Sequence, residues 1–183
     1  ETRLLDKGKI DRMIDAPSAN DVLRIINETE YSNVSANVKR AEDYEEILSA
    51  ELSRVYNLLY EISPVKEIVK IMSLKYDYHN IKVLLKGKVL RKDLSNILIK
   101  LGDLDIQEIK RKIDGENYNN INGTLGKGIA EAMTVFNETN DPQKIDFIMD
   151  KYMFIELLEI NKSLNYGFID NLVKAMIDST NIK

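Results

Sequence analysis

Apolar residues recur at three- and four-residue spacing along almost the whole chain, and the alternation of β-branched residues that marks a strand is nearly absent. That period gathers apolar side chains on one face of a helix but scatters them over both faces of a strand. The sequence therefore predicts an all-α protein built of amphipathic helical bundles, with helices as its only regular element. At 183 residues, 44% hydrophobic and 31% charged, the chain is long enough to bury a core in one or two domains.

Punctuation along the chain divides the helices. Ser18 and Asp21 form a capping pair ahead of Val22, Leu23, Ile25 and Ile26, because a side-chain oxygen can accept from the free amides of a first turn. A long helix is expected from about Asp43 to Glu61, with Tyr44, Ile47, Leu48, Leu52, Val55, Tyr56 and Leu59 on its buried face. Ser63-Pro64 should restart the chain, with Ser63 as cap, and Gly87 should stop the helix that follows. Further on, Gly102 is expected to end a short helix, Asp105 and Glu108 to cap the next, and Asp141-Pro142 to open a long one. A break at Asn165 to Gly167 precedes the last helix. The polar stretch "GENYNNINGTLGKG" reads as a subdomain linker, and the order of elements divides the chain into two helical repeat subdomains, 1–90 and 91–183.

The second half repeats the order of the first. Ser18, Asp21 and Tyr31 find counterparts 87 positions later in Asp105, Glu108 and Tyr118, and Asp77, Asn80, Ile81 and Lys82 find theirs 101 positions later in Asp178, Asn181, Ile182 and Lys183. Duplicated helical units leave such a pattern of ordered elements with matching caps.

"KYDYHNIKVLLKG", residues 75–87, is the chemically unusual part. Asp77, His79 and Asn80 interrupt a helix that is otherwise Ile, Leu, Val and Lys. Asp and Asn are mediocre helix formers, so their presence in a helix interior points to polar groups of a neighbouring element that they satisfy. Asp77 and Asn80, with Asp178 and Asn181 in the second copy, are thus expected to form buried clasps. Lys75, His79, Lys82 and Lys86 fall on the opposite face. They are either a solvated face or a contact for an acidic partner surface.

Several chemistries are disfavoured. "GTLGKG" at 123–128 has two residues, not four, between its first Gly and the Gly-Lys pair, and Gly128 stands where a phosphate loop needs Ser or Thr. A single histidine and no cysteine leave no two-histidine or thiolate metal site, and no paired Glu-x-x-His bundle site. No small-molecule substrate, cofactor or catalytic residue is read from the sequence. A net charge of −4 argues against a dedicated nucleic-acid partner. No apolar run nears the roughly 18 residues that cross a bilayer, so direct membrane insertion is not expected and membrane association would run through a partner. The lack of cysteine fits a reducing cytosol.

The residues quoted above, together with "MIDAPSANDVLRIINETEYS", "YEEILSAELSRVYNLLYEISP" and "IDSTNIK", resemble the C subunit of archaeal and bacterial V-type ATPases, counterpart of the vacuolar d subunit. The Tyr-Asp-x-x-Asn-Ile-Lys segment carries most of the specificity. The resemblance implies a funnel of three related helical subdomains, of which two motif copies are visible, so the chain reads as a trimmed piece. It further implies a non-catalytic protein at the cytoplasmic face of the membrane, receiving the central rotor stalk and seated on the proteolipid ring, which couples ATP turnover to proton or sodium ion transport. The alternative is a helical-repeat adaptor, unrelated to ion transport, that holds a peptide or protein in a groove.

Overall fold

The structure, a computed structural model, describes residues 4–35, 38 and 40–182, the side chain of Asn119 excepted. Its regular elements among those residues are all helices, nine of them α-helical, as the apolar period predicts. The chain forms two compact units, Glu1–Glu61 and Ile62–Lys183. The boundary expected at 90/91 lies inside the second unit, because the helix before it packs along a helix far downstream.

The first unit contains α1 (Lys7–Ile14), α2 (Ala19–Asn27), the single turn α3 (Ser32–Ser35) and the long α4 (Tyr44–Ile62). Local chemistry sets the starts: Asp6 accepts from the Lys9 amide at 2.8 Å, and Ser18 accepts from the Asp21 amide at 3.2 Å. The buried Ser35 hydroxyl donates to Asn27 and ties α3 to the end of α2. The expected buried face of α4 is only partly realised. Ile47 and Tyr56 are buried, whereas Tyr44, Leu48, Leu52 and Leu59 are exposed, Leu48 by 61%.

The second unit holds α5 (Lys66–Leu90), α6 (Ile106–Asp114), α7 (Gly123–Thr139), α8 (Gln143–Leu164) and α9 (Gly167–Asn181). α8 packs against α5, α7 and α9, and α6 closes on α5. Ile71, Leu74, Tyr78, Ile81 and Leu85 of α5 enter one apolar core with Ile129 of α7, Ile145, Met149 and Leu157 of α8, and Val173 of α9.

Several punctuation marks act differently from their expected roles. α5 starts at Lys66 rather than at Pro64, and Ser63 accepts from the Val65 amide instead of capping the helix. α5 also runs through Gly87 and ends at Arg91, which adopts the left-handed conformation with φ 52°. Gly87 is small for another reason: a β-carbon there would lie 3.0 Å from the Lys92 carbonyl oxygen as the chain turns back. "GTLGKG" is not a loop but the opening of α7. Its Gly126 lies so close to the Ile121 carbonyl that a β-carbon would sit 1.7 Å from the oxygen, and Gly128 lies against the Tyr152 ring. Gly126 lets the preceding turn lie against α7 and Gly128 lets α8 approach it, which accounts for both glycines without a phosphate.

Candidate functional site

The interior of α5 carries the polar residues that the sequence singles out. Asp77 and Asn80 are 2% and 1% exposed. Asp77 accepts two consecutive main-chain amides, Asp103 at 3.1 Å and Leu104 at 3.0 Å. Asn80 accepts from the Ile99 amide at 2.8 Å and donates to the Ile99 carbonyl at 2.7 Å. One turn of helix thus holds the 99–104 segment entirely by its main chain, satisfying backbone groups of a part-buried loop. His79, on the same turn, reaches the Ile97 carbonyl through Nε2 at 3.0 Å. The fit is close: a β-carbon on Gly102 would lie 1.8 Å from the Asp77 carboxylate. Gly102 therefore does not end a helix; it lets the loop lie flat on Asp77.

Burial pushes the Asp77 carboxyl above its usual range, outweighing the two amides that favour its charge, and the nearby Asp103 carboxylate adds to the rise. The neighbouring Tyr78 hydroxyl donates to Glu156 at 2.8 Å, and burial beside that carboxylate holds the phenol far above its ordinary pKa. The space bordered by Asp77, Tyr78, Lys70 and Glu156 is only ≈ 40 Å³, about the volume of one water. That is far below the about 300–1,000 Å³ of pockets that bury organic ligands. Among the described residues no three His, Asp or Glu side chains are placed to hold a metal ion.

The four cationic candidates separate. Lys82 pairs with Asp150 at 2.7 Å and Lys86 pairs with Asp146, an antiparallel register in which two residues four apart on α5 meet two residues four apart on α8. His79 turns to the 97–99 backbone, and Lys75 lies over the Tyr76 ring at 4.9 Å. Sequence reasoning missed Asp146 and Asp150, whose matching spacing was the available signal. Because these pairs are partly exposed, a double-mutant cycle of Lys82→Ala and Asp150→Ala should give a coupling of about 0.5 kcal/mol, falling in high salt. Coupling indistinguishable from zero in chemical denaturation would remove the pair from the forces that hold α5 to α8.

The second copy of the motif has a different setting. Asp178 and Asn181 lie exposed in the last turn of α9, and among the described residues neither side chain has a hydrogen-bond partner. Lys183, which completes the motif, lies outside the described residues.

A family model described as ATP synthase (C/AC39) subunit matches residues 1–183. The chain belongs to that family. No match emerged among curated protein sequences. The resemblance drawn from the Asp77-x-x-Asn80-Ile81-Lys82 segment holds at the level of the family, and the protein is a subunit of a V-type rotary ATPase. Among the described residues, no helix of this ATPase subunit is long and apolar enough to cross a membrane.

Proposed function

We propose that this subunit is a non-catalytic coupling element, a helical socket that links the central stalk to the membrane proteolipid ring. Torque passing through it keeps ATP turnover elsewhere in the complex coupled to proton or sodium ion transport. Its place is the cytoplasmic side of the membrane, held there by partner subunits. Family membership is the observation that carries the reading. Support comes from the polar chemistry of α5, which is directed inward: Asp77 and Asn80 clamp backbone, Lys82 and Lys86 brace α8, and Tyr78 joins α5 to α8. Densely packed helices joined at several points resist deformation, as a torque-bearing part must.

The duplication read in the sequence belongs to the same proposal. Asp178 and Asn181 would act as a second clasp by the chemistry that Asp77 and Asn80 display. Lys75 remains exposed and is the cationic candidate best placed to meet an acidic partner. The test is purification of the native complex through a tag on this subunit. Recovery of the proteolipid ring and the stalk subunits is expected. A tagged subunit that returns without either, or an isolated chain that turns over ATP, would refute the coupling role.

A further inference from the structure

The end of α5, the 3-10 turn at Ser95–Ile97 and α6 border an open groove of ≈ 480 Å³, within the range of about 300–1,000 Å³ of small-molecule pockets. Val83, Leu84, Leu94 and Leu98 give it an apolar lining. Lys88, Arg91, Lys92 and Lys110 surround that lining against two carboxylates, Asp93 and Asp114. In a chain of net charge −4, the groove is a local reversal of sign.

The carboxylates in the groove are already engaged. Asp93 accepts from the Ser95 amide at 3.0 Å and from its hydroxyl, and Asp114 pairs with Lys110 at 3.2 Å. Lys88 turns to the Ile113 carbonyl at 2.6 Å and to Glu116 at 3.3 Å. Arg91 and Lys92 are exposed, and among the described residues neither side chain meets a carboxylate. Arg91 also occupies the left-handed cap of α5, where glycine carries no steric cost. An arginine there places an unpaired guanidinium at the mouth of an apolar groove.

We propose that this groove docks an acidic, amphipathic segment of a partner protein, its apolar side chains entering over Leu94 and Leu98 and its carboxylates meeting Arg91 and Lys92. Charge complementarity selects that occupant. A small anion would leave the apolar lining uncovered, and an excess of two cations falls short of what tracking a nucleic-acid backbone requires. The concave shape favours a protein segment over a flat lipid surface. The inference does not depend on the coupling role, since its test uses the isolated chain.

The probe is a fluorescent helical peptide of about four turns with leucines at i, i+3 and i+4 and glutamates elsewhere. Binding is expected, weakening as salt rises and dropping at least about tenfold in Arg91→Glu/Lys92→Glu. Leu98→Ala should weaken it too, while Lys162→Glu, exposed on α8 and outside the groove lining, leaves it unchanged. A peptide with glutamine in place of glutamate should bind poorly. Equal binding of the two peptides, undiminished binding by the double variant with an unchanged melting midpoint, or a preference for anionic phosphatidylserine vesicles would each overturn the proposal.

Discussion

Gly102→Ala is expected to destabilise the second unit by about 2–4 kcal/mol, combining overpacking with loss of a buried hydrogen-bonded pairing. The added methyl would fall 1.8 Å from Asp77 Oδ1 and 2.5 Å from its carboxyl carbon. Both belong to a short side chain that is pinned by two amides, so neither the loop nor the carboxylate can yield without releasing the other. Gly167→Ala is the control, because nothing lies within 4 Å of a β-carbon there and alanine is the better helix former. The two variants should separate clearly in urea denaturation. Equal midpoints would mean that the loop does not rest on Asp77. In an Asp77→Ala background the same glycine replacement should cost much less, since the obstacle has gone.

The second large effect is expected from Asp77→Ala, a loss of about 1–3 kcal/mol from two part-buried amides left without their acceptor. Its pH dependence has a definite sign. Burial raises the folded-state pKa of Asp77 above 3.8, so the folded protein binds this proton more tightly than the unfolded chain does. The resulting stabilisation is complete below the unfolded value and is lost as pH rises through the folded one. The difference in unfolding free energy between wild type and Asp77→Ala should therefore be largest in acid and shrink toward neutrality, other carboxylates cancelling between the two proteins. A difference that grows with pH would show that the two amides outweigh burial.

Local chemistry was legible from sequence alone. The helical period gave the fold class, and Ser18 and Asp105 cap α2 and α6, Asp105 accepting from the Gln107 and Glu108 amides. These outcomes depend on residues within one turn of each other. Tertiary requirements were harder to read. Gly87 looks like a helix stop but is small because the Lys92 carbonyl returns against it, and Gly102 looks like another but is small because Asp77 lies beneath it. Asp77 and Asn80 stood out as polar residues in an apolar helix. Their partners did not, because those partners are main-chain groups of Ile99, Asp103 and Leu104, which any residue except proline could supply. Lys82 and Lys86 looked free until α8 brought Asp150 and Asp146 alongside. The apolar stripe of α4 was expected to be buried throughout, yet Tyr44 and Leu48 are exposed; amphipathic spacing identifies a face, not what covers it.

The coupling role predicts a specific ratio measurement. In vesicles carrying the reconstituted ATPase, ions moved and ATP hydrolysed should be recorded together, with and without this subunit. Omitting it should abolish transport while hydrolysis by the catalytic subunits continues, so that the ratio of ions moved to ATP consumed falls to zero. Transport that persists at an unchanged ratio would contradict the account, because the shaft and the ring would then be joined by something else.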